Sequence, residues 1–404
     1  MINGFFYALL YFAILPLIVF SIAGFDVSFI EPSDYFTKKY SLNISSAYLI
    51  IDILVLSLLL FKFQRKNQFL LKIGSAANEL STLRSKSFLL LLLTLFTYLE
   101  IFYNFLIIDH DLHWHSREEF SILPTSVAYY LNPLSRIVTY LAIINIASAF
   151  SSFISFETSN FKLNKRNVCW LTIDLAAILM LIYNSGNRWY FALLAALVFY
   201  LASSSLKKKM LLISPFFLMA GIYISIFVLS TRVGADFESL IYSTFGSLSF
   251  FEQVLSSLLL VTEGISLGAN LEISGMALMN PDPLYFLERV LMIPFPGFLI
   301  DKPPNFNILA ATLIYGVSDG HSLSTGILTS FIIGFGPFAI LLSILFIFMI
   351  RNLDKKFFNQ SALVHLLAFS FMFAAFRFNI EDFIIHLIYG VFFTAVFFRP
   401  THLR

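Results

Sequence analysis

Six cations stand where a membrane chain would rather not keep them. Arg136, Arg188, Arg232, Arg289, Lys302 and Arg377 all lie in or beside the acidic gaps between apolar segments. Arginine suits anion binding, because its guanidinium is always charged and presents parallel N–H pairs to a phosphate or carboxylate. Arg188 ends the short turn Ser185-Gly186-Asn187-Arg188, which holds it at the membrane surface. Arg232 opens the longest gap, Arg289 lies in the segment after Pro283, and Lys302 sits in Asp301-Lys302-Pro303-Pro304. Arg377 is the centre of Phe376-Arg377-Phe378, and Arg136 follows Asn132-Pro133 in the first turn of a span. Singly, such groups snorkel to headgroups or pair with Glu288, Asp301, Glu381 or Asp382. As a set they point to one shared anion site.

A second group supplies proton chemistry. His321 lies in Ser318-Asp319-Gly320-His321-Ser322-Leu323-Ser324-Thr325-Gly326. Ser324 or Thr325 is placed to cap the next helix, and the exposed amides there, with the hydroxyls of Ser322 and Thr325, favour an anion. An imidazole beside them can take a proton from a sugar hydroxyl near neutral pH. An ordinary capped surface loop is the competing account. Glu288 and Glu381 are rivals for the base, and either can instead orient an arginine.

Asp109-His110-Asp111, His113, His115, Glu118 and Glu119 have the composition of a divalent-ion cluster but not the spacing of a defined metal pattern. A hydrated acidic loop is the better account, and no metal is assigned. Asp52, Glu100 and Asp174 fall inside apolar segments and are expected to face the bundle interior, with Asp174 a candidate for the cavity of Arg188.

The elements that position these groups are membrane spans. The chain is 58% hydrophobic and 12% charged, with mean hydropathy +0.83. Spans are expected at about 4–25, 45–63, 87–108, 133–156, 168–184, 189–205, 211–231, 326–350, 361–378 and 383–398. Alternate gaps, 64–86, 157–167, 206–210 and 351–360, carry most of the Lys and Arg and are assigned to the cytoplasm. Both termini then lie inside, as an even number of spans requires. The 232–325 gap is outer, long and apolar. Within it, 236–260 reads as an amphipathic helix, Asn280-Pro281-Asp282-Pro283 as the start of another over 284–292, and 307–315 as a short apolar segment. A loop this apolar is expected to cover a cavity between helices, with interfacial or re-entrant helices.

The fold expected is therefore all-α. It is a polytopic integral membrane protein of about ten transmembrane helices, a single domain over 1–404 with one large outer loop at 232–325. Residues 1–25 lack a basic n-region and read as a retained first helix. A formal charge of +2, spread through short loops, does not suggest nucleic-acid binding. The lone Cys169 permits no intrachain disulfide, and the 49 phenylalanines read as packing and lipid-facing material. No phosphate-binding Gly-x-x-x-x-Gly-Lys motif is present.

Over roughly 180–350 the chain resembles the lipid-linked oligosaccharide repeat-unit polymerases, the O-antigen polymerases. The resemblance rests on the Ser185–Arg188 turn and on Arg232 leading into a large outer loop. It rests also on Arg289 followed by Ile293-Pro294 and Asp301-Lys302-Pro303, and on His321–Gly326 before Gly334-Phe335-Gly336. It implies transfer of a glycan from undecaprenyl pyrophosphate to the terminal sugar of a second lipid-linked unit. The transfer would occur at the outer face of the bacterial plasma membrane, without metal, cofactor or nucleotide sugar. The expected partners are undecaprenyl-pyrophosphate-linked oligosaccharides, membrane lipid and a polysaccharide chain-length regulator. Arg188, Arg232 and Arg289 would hold the pyrophosphate or donor sugar, Arg377, Lys302 and Arg136 would support them, and His321 would serve as base.

The same residues fit an O-antigen ligase, which differs in its acceptor. A metal-dependent transferase would use Asp109 and Asp111. A flippase would move lipid-linked sugar without joining it, although transporters usually show two related halves and this chain shows none.

Overall fold

The structure is a computed structural model that describes residues 1–22, 44–63, 73–107, 125–154, 165–185, 189–201, 219–224, 249–261, 264–293, 295, 301–315, 326–357, 361–377 and 379–398. All regular structure among them is helical. Among the described residues, six helices are long and apolar enough to cross a membrane: Ile2–Ile22, Phe88–Leu106, Leu131–Ser152, Lys165–Tyr183, Ile327–Lys355 and Ile380–Phe397. Trp189–Leu201 and Ala362–Arg377 are shorter apolar helices, and Ile44–Phe63 is a 20-residue helix that carries Asp52.

Several of these helices keep an apolar stripe on the outside. On Phe88–Ile107 the exposed residues are Phe88, Leu89, Leu92, Leu95, Leu99, Tyr103 and Leu106. On Ile44–Phe63 the exposed apolar residues are Ile51, Leu54, Leu58 and Phe61, with Lys62 exposed at the end. Steps of three and four residues put each set on one helix face. Exposed leucine stripes of this length are what a hydrocarbon solvent calls for.

The chain divides into two compact units. The first comprises Met1–Gln64, Asp236–Lys355 and Met372–Ile385. In it the Gly264–Ala277 helix packs along Ile44–Phe63, and the Pro283–Leu291 helix packs on Ile327–Phe335. Phenylalanine edges knit this unit. Phe5 meets Phe346 at 5.7 Å and Phe376 at 5.6 Å, Phe346 meets Phe383 at 5.1 Å, and Phe286 meets Phe306 at 5.8 Å, all edge-on. Such pairs add about 0.5–1.5 kcal/mol each beyond their burial.

The 326–350 span is interrupted. Ile327–Phe335 ends at Gly336, whose φ of +52° only glycine adopts without strain, and Gly336–Phe338 forms one 3-10 turn before Ala339–Phe357 resumes.

The second unit comprises Arg65–Ala235, Lys356–Phe371 and His386–Arg404. Its central element is Thr125–Ile154, which packs against Trp189–Leu201, Ile73–Lys86 and Lys165–Ser185. Pro133 lies inside that helix and does not start it, so Arg136 is an interior residue and not a first-turn one. A membrane helix tolerates the proline because neighbours satisfy the released backbone groups. The gap expected over 64–86 contains the Ile73–Lys86 helix, which buries Ala76, Ala77, Leu80, Ser81 and Arg84 along one side.

Candidate functional site

The Pro283–Leu291 helix begins as its sequence dictates. Asp282 caps it by accepting from the Tyr285 amide at 2.9 Å, and Pro283 occupies the first position, where no N–H is needed. This phase turns Phe286 and Arg289 inward and leaves Leu284, Leu287, Glu288 and Leu291 exposed.

Arg289 is 7% exposed and fully oriented. Its Nε donates to Glu381 Oε1 at 2.7 Å, its Nη2 to Glu381 Oε2, and its Nη1 to the Pro303 carbonyl at 2.6 Å. A guanidinium has five N–H donors. Three are engaged, and the other two have no acceptor among the described residues. Glu381 is itself fixed by its place in the first turn of Ile380–Phe397. Buried Asn379 caps that turn, its Oδ1 accepting from the Asp382 amide at 2.8 Å. The positive end of the helix favours a carboxylate there.

Lys302 completes the cluster. It is half-buried, and burial pushes its ammonium below the ordinary 10.5; the Arg289 charge adds to that depression and Glu381 opposes it. Lys302 and Arg289 thus both lie within electrostatic reach of Glu381, whose carboxyl also feels the neighbouring charge of Asp382. Tyr285, one turn before Arg289, donates its hydroxyl to the Pro304 carbonyl at 2.6 Å. Burial pushes that hydroxyl's pKa up, so it stays a donor.

Also in the first unit, Arg377 ends the Ala362–Arg377 helix and lines a small cavity of about 40 Å³. Asn270, Thr329 and Gly326 give the cavity its other polar atoms, and Phe12, Leu49, Ile53 and Phe376 give it apolar walls. Gly326 is the N-cap of Ile327–Phe335 and makes no side-chain cap, so neither Ser324 nor Thr325 occupies the cap position expected of it. A Cβ on Gly326 would stand 2.9 Å from the Phe376 carbonyl. That close approach brings the helix start against the residue preceding Arg377.

Of the residues singled out by sequence, Arg289, Glu381 and Lys302 therefore meet. Glu288 is exposed on the neighbouring face of its helix. Arg136 belongs to the second unit, where its Nη1 lies 3.1 Å from His386 Nε2. Arg188, Arg232, His321, Ser322 and Thr325 lie outside the described residues, as does the 109–119 loop.

Asp174 is engaged by a group the sequence reading counted only as a loop charge. Arg84 Nη1 donates to its Oδ2 at 2.9 Å, Asn145 Nδ2 donates to the same oxygen at 2.7 Å, and the Tyr98 hydroxyl donates to Oδ1. Arg84 is 1% exposed and its guanidinium covers the Trp170 ring at 4.6 Å. The signal was present in the sequence, since Arg84 falls in line with Ala77 and Leu80 at helical spacing. Tyr285 and Asn379 were likewise missed, and only their partners in space reveal them.

Comparison with known families, curated proteins and solved structures finds no match to this chain.

Proposed function

We propose that the chain is a membrane glycosyltransferase that polymerises lipid-linked oligosaccharide repeats. It would transfer a glycan from a polyprenyl pyrophosphate, undecaprenyl pyrophosphate in bacteria, to the terminal sugar of a second lipid-linked unit. The observation that carries this reading is the Arg289–Glu381–Lys302 cluster. It is a buried guanidinium, locked in direction by a carboxylate, with two N–H donors that none of the described residues takes and a second cation beside it.

Such a cluster suits the demands of the reaction. The acceptor hydroxyl attacks the anomeric carbon from the face opposite the leaving group. The carbon–oxygen bond to the diphosphate breaks, and its electron pair stays on the diphosphate oxygen. Fixed donors aimed at that oxygen stabilise the charge as it develops, without reorganising in the transition state. Glu381 holds Arg289 in place with both of its oxygens, so its role in this reading is orientation. The acceptor proton then goes to another base, for which His321 is the first choice. The activated bond is in the donor itself, so no metal, cofactor or nucleotide enters the scheme.

The active site would face the periplasm in the inner membrane of a bacterium, with both termini cytoplasmic and the 232–325 loop over the cavity.

Deleting the protein and resolving surface polysaccharide on a gel tests the proposal. Single-repeat product in place of a polymer ladder is the expected result. Absence of any repeat would instead identify a flippase, and polymer left unattached to its final acceptor would identify a ligase.

A further inference from the structure

The segment Asp301–Asn305 joins the Pro283–Leu291 region to the Phe306–Tyr315 helix without regular structure of its own. Its centre is Pro303-Pro304, and a proline offers the backbone no N–H. In this strap the proline pair can be held through its main chain only by its two carbonyls, and both are taken. Tyr285 Oη donates to Pro304 O at 2.6 Å, and Arg289 Nη1 donates to Pro303 O at 2.6 Å. Tyr285 and Arg289 are four residues apart, so they project from one face of one helix. At its far end the strap is anchored by Asn305, whose Oδ1 accepts from the Ile308 amide at 2.8 Å and caps Phe306–Tyr315. The Tyr285 ring is braced edge-on against fully buried Phe306 at 5.2 Å. Asp301 and Lys302 stand at the near end, directly before the pinned pair.

We propose that Tyr285 is a positioning residue for Lys302. Its hydroxyl, acting with Arg289, pins the two proline carbonyls so that the lysine ammonium and the two Arg289 N–H donors that no described residue takes grip the same pyrophosphate group. This rests on reading the cluster as a pyrophosphate site. Tyr285 need not touch the ligand. It removes the freedom of the strap, so the entropy of ordering the lysine is lost on folding and not on binding. The mobility of the electrostatic partners explains why the device is useful. Lysine is a point charge on a long flexible stem, whereas arginine is already directed by its fork.

The test uses the full-length protein in detergent micelles and calorimetric titration with inorganic pyrophosphate, which requires no transfer activity. Tyr285→Phe keeps the ring against Phe306 and deletes only the hydroxyl. The expected result is a loss of affinity of about five- to tenfold, the effect of one net hydrogen bond on an ordered element. Lys302→Ala is expected to lose at least as much. The double variant should bind no more weakly than Lys302→Ala alone, because Tyr285 acts through the lysine. The thermal midpoint of Tyr285→Phe should stay within about 2 °C of wild type, which separates positioning from general loosening.

Tyr285→Phe binding like wild type, or losses that multiply in the double variant, would overturn the positioning role while leaving the anion site standing. Failure of the wild-type protein to bind pyrophosphate would overturn the anion site, and the positioning role with it.

Discussion

Glu381→Ala removes two of the three acceptors that hold Arg289. The guanidinium remains in place with its side chain 7% exposed, and only the Pro303 carbonyl still accepts from it. Stranding one member of a buried ion pair costs about 3–5 kcal/mol, because the survivor is a desolvated charge with no counter-charge. That is a loss of between two and four orders of magnitude in the folding equilibrium, roughly. It should appear as a lower yield of monodisperse protein after mild extraction and a lower thermal midpoint. Arg289→Met/Glu381→Leu fills the same volume with apolar side chains, and such replacements of buried pairs are neutral or stabilising. The double variant should therefore regain the wild-type midpoint. It should still make no polymer, because the directed cation is gone. Wild-type polymer ladders from this double variant would refute the assignment of Arg289 to the site and reduce the pair to packing. A wild-type midpoint for Glu381→Ala alone would refute the electrostatic reasoning itself.

Other variants probe the remaining features. Arg377→Ala should abolish polymer at a stability cost of about 1 kcal/mol or less, since the residue is half-buried at a helix end; gel ladders and thermal midpoints measure the two effects. Gly326→Ala should lower the midpoint by an amount equivalent to about 1–3 kcal/mol, because its new methyl group meets the Phe376 backbone carbonyl at 2.9 Å and neither chain can yield freely. Arg84→Ala should cost about 3–5 kcal/mol by stranding Asp174. Arg166→Ala, by contrast, removes an exposed guanidinium that donates to the Ser81 carbonyl at 2.8 Å, and should cost about 1 kcal/mol or less on the same unfolding assay.

Lys302 also gives a pH signature. Its folded pKa lies below the ordinary 10.5, so in the window between them the unfolded chain binds more protons than the folded one. Stability from this group therefore rises as pH climbs through that window. Lys302→Met should remove the rise, as seen by comparing thermal midpoints of the two proteins across the alkaline range.

Local features of this fold were legible in the sequence, and the pairings between distant segments were not. Asn280-Pro281-Asp282-Pro283 announced a helix start, and the structure has Asp282 as the cap and Pro283 as the first residue. The apolar 307–315 stretch forms the helix Phe306–Tyr315. These signals are carried by neighbours in sequence, so a linear reading reaches them. The Arg289–Glu381 pair joins residues 92 apart, and nothing in either neighbourhood names the other. Arg84 shows a different difficulty. Counted as one of several basic residues between two spans, it supported a topology assignment. Its position on the buried stripe of Ile73–Lys86 gives it a second meaning, which charge counting averages away. The sequence singled out Arg289 and Lys302 among six cations, but which of the six come together, and which carboxylate directs them, depends on the packing of helices.

The Arg84–Asp174 bond also sets an order of events during synthesis. The two residues are 90 apart in the chain. At the pace of a ribosome the arginine is born on the order of ten seconds before its acid. Throughout that interval its helix has no place to settle, because burying the guanidinium with only the Tyr98 hydroxyl beside it would leave the charge without a counter-charge. Docking of Ile73–Lys86 must therefore wait until the Lys165–Ser185 helix has emerged, and a nascent chain halted before that point would carry a helix ready to dock and no acid to receive it.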